Sequence, residues 1–318
     1  MKTEIVRLSK KNWEKVAAKA AEIIRRGGLV VFPTETVYGL GASVFDERAV
    51  KKIFKAKGRP SDNPIIVHIA RFSQLKELAE KISGIDKKLI KRFWPGPLTL
   101  IFKKRKRVSS IITGGLPSIA VRMPTHPFAR NLIRKAGVPI AAPSANISGR
   151  PSGTLGRHLR QDLSGRVDLI IDAGPSSVGL ESTVIKTEGG KIFILRPGAV
   201  TKEILEKASK LPVFFAKDKK KLQVSPGTKY RHYAPKAKLE IFESEKELKK
   251  TLQTFKKRKK KAKVLRYKNL KLMSKNLYRD LRSLDQRGAQ IILVKAVSKA
   301  GLGVAIMDRL ERAARDTI

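Results

Sequence analysis

The chain has 318 residues, 41% of them hydrophobic and 31% charged, with no cysteine and a formal net charge of +43. That length exceeds one typical core and suits two domains, the composition is globular, and the apolar runs are short and broken by charges, so none is expected to cross a bilayer. Without cysteine there are no disulfides, zinc-cysteine sites or thiol nucleophiles, and the start "MKTEIVRLSKKNWEK" lacks the apolar stretch of a secretory signal, so a soluble, cytoplasmic protein is expected.

Read in chain order, residues 9–27 form the first helix, with Ser9 as N-cap, Trp13, Val16, Ala17, Ala20, Ile23 and Ile24 inward and Gly27 as the stop. A buried strand "GLVVFP" follows, then a helix from Asp46, the strand "PIIVHIA", and helices near 72–82 and 86–94. Further strands fall at "PLTLIF", "SIAVRM", "PIAAP", "VDLIIDAG", "STVIKT" and "KIFILRP", with helices at 126–136 and 201–208. Strands and helices alternate irregularly, which predicts a mixed sheet in a domain over residues 1–208. Residues 209–236 lack a sustained period and read as a linker, yet "SPGTKYRHYAP" places Tyr230, His232 and Tyr233 between prolines, the profile of a segment that docks. Residues 237–318 alternate β-α-β-α-β-α, which predicts a small three-stranded parallel sheet of Rossmann-like layout. Its "GLG" at 301–303 lacks the spacing of a dinucleotide fingerprint.

A charge of +43 calls for acidic partners such as nucleic acid, nucleotides or phosphates. Residues 211–318 carry 30 Lys and Arg against 10 Asp and Glu, and no acid occurs between Asp86 and Asp162, so that segment predicts a positive face. For "KKRKR" (Lys103 to Arg107) and "KKRKKKAK" (Lys256 to Lys263), solvated basic surface is the simpler reading.

No P-loop or nucleophile-elbow motif is present, and the four histidines show no metal-binding spacing. Polar residues at strand ends remain. "PTETVYGLGA" combines hydroxyls at Thr34, Thr36 and Tyr38 with Glu35 and two glycines; it reads equally as a ligand-admitting segment and as a strand-turn with glycines at positive φ. "KGRPS" places Lys57 and Arg59 two apart just past a helix, so that in extended chain both cations face one anion, whereas a basic helix end accounts for Lys52 and Lys55 but poorly for Arg59. "AAPSANISGRPSGT" crowds Ser144, Asn146, Ser148, Ser152 and Thr154 after a strand, an anion cradle or a plain loop. Arg122, Ser182 and Arg196 are polar residues in apolar strand context, and a strand arginine needs a partner or a ligand.

"PTETVYGLG", "KGR" with "SAN", "AVRMP", "ILRPG", "SPGTKYRHYAP" and "GLGVAIMDRLERAA" together resemble the YrdC-domain threonylcarbamoyl-AMP synthases, in the longer form with a C-terminal domain. The resemblance spans essentially the whole chain. It departs at Thr228, where methionine is common, and at Ser118, where threonine is common. It implies a YrdC-like twisted mixed sheet with flanking helices and a large basic cavity, and a nucleotidyltransferase that converts L-threonine, bicarbonate and ATP into threonylcarbamoyl-adenylate and pyrophosphate. A downstream tRNA threonylcarbamoyl-transferase complex then modifies the adenosine beside the anticodon. It further implies that Thr34, His68, Arg122, Ala142 and Ser182 meet threonine, and that Lys57, Arg59, Ser61, Ser118, Ser144, Asn146, Ser152 and Arg196 face ATP and bicarbonate. His232 and Tyr233 would close over the nucleotide as a lid, and Mg2+ would ride on the triphosphate with no protein metal site. The charge leaves open a tRNA contact through the basic surface and the alternative of a non-catalytic RNA-binding protein with the YrdC fold. A carbamoyl-phosphate-using transferase is disfavoured, since its cysteine-rich modules are missing.

Overall fold

The computed structural model describes residues 2–218, 222, 225 and 232–314. Thr228 and Tyr230 of the docking segment lie outside the described residues. The first unit is built on an eleven-stranded mixed sheet. In chain order its strands are β1 (Glu4–Arg7), β2 (Val30–Phe32), β3 (Gly39–Ser43), β4 (Ile66–His68), β5 (Leu98–Lys103), β6 (Ser118–Arg122), β7 (Ile140–Ala141), β8 (Leu169–Asp172), β9 (Thr183–Glu188), β10 (Lys191–Arg196) and β11 (Val213–Phe215). They lie side by side in the order β1-β8-β2-β3-β7-β4-β6-β5-β9-β10-β11. Parallel pairs such as β4 with β6 alternate with antiparallel ones such as β5 with β6, the mixed sheet expected. β11 was not expected: it pairs in parallel with β10 from inside the segment read as a linker, and three residues are too few to carry a period.

Helices α1 (Trp13–Arg25), α2 (Glu47–Lys57), α3 (Phe72–Leu78), α4 (Gly84–Phe93), α5 (Ser110–Thr113), α6 (Pro127–Ala136), α7 (Gly156–Leu163) and α8 (Lys202–Ser209) flank it. α1 starts at Trp13 rather than near Ser9, because Ser9 and Asn12 satisfy each other's backbone N–H through their side chains, a local alternative to helix. α2 has sharper ends: the Asp46 carboxylate caps Ala49 N–H at 2.9 Å, and Gly58 stops the helix in the left-handed region at φ 60°. α1 and α6 lay Ala17, Ala20, Leu132 and Ile133 on Val30, Phe32, Ile140 and Ile171, while the other face of the sheet carries the larger core around Val31, Leu40, Ile53, Val67 and Leu100.

The second unit contains β12 (Lys238–Phe242), β13 (Ala262–Leu265) and β14 (Ile291–Lys295), all parallel in the order β12-β14-β13. Around them lie α9 (Glu245–Lys257), α10 (Leu270–Gln286) and α11 (Leu302–Ala314). Its core, around Leu239, Leu277, Leu281, Ile292, Ile306 and Leu310, also takes in Val37 and Leu180 of the first unit and Tyr233 of the connecting segment. Among the described residues, no helix is long and apolar enough to cross a membrane.

Candidate functional site

One cavity opens where several strands of the large sheet end together. Register places His68 opposite Arg122, and Arg122 opposite Thr99, so their side chains leave one face of the sheet in a row. Thr99 Oγ1 and Ser182 Oγ share a hydrogen bond of 2.8 Å, which extends the row to the start of β9. Thr34, just past β2, donates to Val37 O at 2.6 Å. Thr36 Oγ1 accepts from Arg122 Nη1 at 2.7 Å, and Glu35 Oε2 accepts from Arg122 Nη2 at 2.6 Å. Arg122 is buried, and burial pulls its pKa down while the Glu35 carboxylate pushes it back up. Its Nε and Glu35 Oε1 are buried without hydrogen-bond partners among the described residues. A desolvated guanidinium with a spare donor suits a carboxylate ligand.

His68 sits edge-on to Phe32, with ring centroids 6.1 Å apart. Burial first and Arg122 second push its pKa down to about 3, so it is neutral at physiological pH. Next to Ser182, Arg196 Nη2 donates to Ser182 O at 2.9 Å and to Ser182 Oγ at 3.2 Å. Gly198 lets this "RPG" turn lie against the start of β9: a Cβ there would fall 2.4 Å from Thr183 N, which no side chain tolerates. Arg59 forms another part of the wall and donates to Pro64 O at 2.9 Å.

The end of the connecting segment reaches the cavity. His232 and Tyr233 line it and are buried, and Ala234 N–H is tied to Gly149 O at 2.9 Å. Tyr233 has φ 67°, a strained left-handed conformation costing roughly 1–3 kcal/mol that persists only where the surroundings enforce it. Burial first, then Arg59, pushes the His232 pKa down to about 3. With these rings in place the cavity measures about 60 Å³, room for a few waters and far below the roughly 300–1,000 Å³ of a ligand pocket.

Residues 22–198 match the Sua5/YciO/YrdC profile, described as telomere recombination, and residues 200–315 match the C-terminal domain of threonylcarbamoyl-AMP synthase. The chain belongs to the Sua5/YciO/YrdC family. Threonylcarbamoyl-AMP synthases of Pyrococcus abyssi and Bacillus subtilis are each 44% identical to it, over 92% and 93% of this chain and 92% of their own lengths. The crystal structure of Pyrococcus abyssi Sua5 complexed with L-threonine covers 99% of this chain and 98% of its own, at 41% identity and a TM-score of 0.89.

In this family member the residues expected at threonine, Thr34, His68, Arg122, Ala142 and Ser182, all line the cavity. Of those expected at the nucleotide, Arg59, Ser144, Arg196, His232 and Tyr233 do as well. Lys57, Asn146, Ser61, Ser118 and Ser152 are not among its lining residues. The convergent-cation argument for Lys57 and Arg59 is corrected: Lys57 belongs to the last turn of α2 rather than to extended chain, so the two-residue period does not apply. Its ammonium turns under the loop instead, donating to Ser144 O at 2.5 Å and Asn146 O at 2.6 Å. Burial, then Arg59, pulls its pKa well below the ordinary lysine value. Asn146 braces the same loop, its Nδ2 donating to Ile147 O and Arg150 O. Ser61 is exposed. Ser118 faces a separate groove with Lys81, Lys103 and Lys186, four residues along β6 from Arg122 and so roughly 13 Å away. Ser152 is buried and donates to Glu181 Oε1 at 2.6 Å.

Glu181 itself was missed. It lines the cavity and accepts from Ser152, Tyr278 and Arg309. Burial alone would raise its pKa, but Arg309 and Arg196, with the hydrogen bonds from Ser152 and Tyr278, outweigh that and hold it below the ordinary glutamate value. An acid inside "LESTVI", beside the flagged Ser182, was the available signal. Tyr278 and Arg309, 97 and 128 residues away in sequence, gave none.

Proposed function

We propose that this chain is a threonylcarbamoyl-AMP synthase, a nucleotidyltransferase joining L-threonine, bicarbonate and ATP into threonylcarbamoyl-adenylate with release of pyrophosphate. The observation that carries this reading is one cavity lined both by Arg122, Thr34, His68 and Ser182 and by Arg59, Ser144, Arg196 and the rings of His232 and Tyr233. The full-length similarity to threonylcarbamoyl-AMP synthases supports it.

Bicarbonate gives up CO2 and hydroxide; the threonine nitrogen attacks the CO2 carbon and its proton leaves with the hydroxide as water, giving a carbamate. A carbamate oxygen then attacks the α-phosphorus as the bond to pyrophosphate breaks. The protein needs to orient anionic reactants and offset charge on the phosphates. Arg122 would take the threonine carboxylate through its spare Nε–H, Ser182 and Thr34 the rest of the amino acid, and Arg59 and Arg196 the phosphates. Lys57 and Asn146 would serve by holding the loop that presents Ser144. Mg2+ would supply charge neutralisation on the triphosphate. Among the described residues there is no group of three or more acids or histidines able to hold a metal, and Glu35 and Glu181 are each paired with an arginine, so in this reading the triphosphate oxygens would supply most of the ion's ligands.

We treat residues 1–208 as the catalytic unit, joined by β11 of the 209–236 segment, the rest of 209–236 as a lid ending in His232 and Tyr233, and 237–318 as the C-terminal unit. His232 and Tyr233 narrow the cavity to about 60 Å³; in this reading they withdraw for ATP to bind and return to keep water from the adenylate. The product would pass to a tRNA-modifying complex, with the basic surface available to tRNA. Pyrophosphate release that requires threonine, bicarbonate and ATP together is the test; release at the same rate without threonine refutes the proposal.

A further inference from the structure

The two units meet at the Glu181 carboxylate, beside Ser182 and within reach of Arg196. We infer that the C-terminal unit completes the nucleotide side of the active site, with Arg309 of α11 and Tyr278 of α10 as positioning residues acting through Glu181 and the Tyr233 ring. This rests on the synthase reading and deepens it by giving the second unit a task.

Arg309 has no exposed surface. Its Nε donates to Glu181 Oε2 at 3.1 Å and its Nη1 to Pro197 O at 2.7 Å, so one guanidinium braces the residue before Ser182 and the residue after Arg196. The same guanidinium carbon lies 5.5 Å from the centre of the Tyr233 ring, a cation–π distance. Tyr278 donates its hydroxyl to Glu181 Oε2 at 2.8 Å, and its ring stacks on Tyr233 with centroids 5.4 Å apart and planes 23° apart. Tyr233 is thus held in its strained backbone conformation by two side chains of the C-terminal unit.

Stability alone does not account for this cluster. Burying a guanidinium and a carboxylate is commonly no better than apolar packing of the same volume, and Arg309 Nη2 is left with no hydrogen-bond partner among the described residues. A second buried pair across the same interface provides the contrast. Arg282 Nη2 meets Asp162 Oδ2 at 2.5 Å and Pro151 O at 2.6 Å, yet neither Arg282 nor Asp162 lines the cavity. One pair fastens the units together; the other reaches the site.

The experiment measures binding of a non-hydrolysable ATP analogue, and separately of L-threonine, by calorimetry on the full chain and on Tyr278→Phe, Arg309→Met and Arg282→Met, with a melting curve for each. Tyr278→Phe removes one hydroxyl and keeps the ring, so it keeps the inference testable even if Arg309→Met fails to fold. The expected result is an analogue bound about tenfold more weakly by Tyr278→Phe, the scale of one hydrogen bond to a charged group, with threonine affinity within about threefold. The loss should vanish when Tyr278→Phe is combined with Glu181→Gln, because the hydroxyl acts through that carboxylate. Arg282→Met should lower melting while the analogue still binds within about threefold of the unaltered chain. Equal losses for threonine and analogue, additive losses in the double variant, or an equal loss in Arg282→Met would overturn the inference. An unaltered chain that binds the analogue but makes no pyrophosphate refutes the synthase reading alone, and one that does not bind the analogue refutes both.

Discussion

Replacing Lys57 by methionine separates a lysine that touches the nucleotide from one that holds up the loop. The buried ammonium donates to Ser144 O at 2.5 Å and Asn146 O at 2.6 Å, and methionine fills similar space while leaving both carbonyls without that donor. Hydrogen bonds from a charged group contribute roughly 1.5–3 kcal/mol each, and part is recovered because no charge is then buried. A net loss of about 3 kcal/mol is expected, a fall in melting temperature of roughly 6–12 °C for a unit of this size. Arg59→Met, which strips a cavity wall, should cost about 1 kcal/mol in stability while suppressing pyrophosphate release more strongly. The assay is calorimetric melting of both variants beside threonine-dependent pyrophosphate release. Unchanged melting of Lys57→Met with abolished activity would refute the strut argument and return Lys57 to the ligand.

Arg122→Lys gives up the two bonds to Glu35 and Thr36 that the guanidinium makes at once; KM for threonine should rise about ten- to hundredfold and KM for ATP little, and an equal rise in both would refute its assignment. His68, His158 and His232 keep pKa values of about 3 when folded, by burial first and then by Arg122, Arg282 and Arg59 respectively, against the ordinary 6.5. Between those values the unfolded chain binds more protons, so stability is full above pH 6.5 and falls as pH drops toward 3. Urea unfolding at pH 5.5 should show a loss of about 4 kcal/mol relative to pH 7.5, roughly 1.4 kcal/mol for each imidazole, and identical midpoints would refute it. Gly41→Ala would bring a Cβ within 2.7 Å of Phe32 and 2.8 Å of Ile140 and should cost about 1–3 kcal/mol by overpacking, measured as a lower urea midpoint; an unchanged midpoint would show that the sheet yields there.

Much of the fold was legible because its elements have local signals: the 3.6 period of α6, the Asp46 cap of α2, the short apolar runs of β5 and β14. The elements missed were β1, β3, α5, α7 and β11, which are short or, for β3, rich in glycine. The glycines of "PTETVYGLGA" show how a sound local reading can fail. Gly39 and Gly41 are not at positive φ; Gly41 is needed because Phe32 and Ile140 close on it from neighbouring strands, which no turn rule encodes.

By itself the sequence determined a two-part α/β chain whose polar residues gather at strand ends, and it picked out Arg122, Ser182 and Arg196 because a strand interior tolerates a polar group only with a partner. Tertiary structure decided which of the flagged residues face the cavity. Lys57 and Arg59 separate because a helix terminus between them turns one inward and one to the site, and a change of secondary structure resets the side-chain period. Only the packed chain brings Tyr278 and Arg309 to Glu181, since a contact between residues 97 or 128 apart in sequence leaves no periodic trace along either segment.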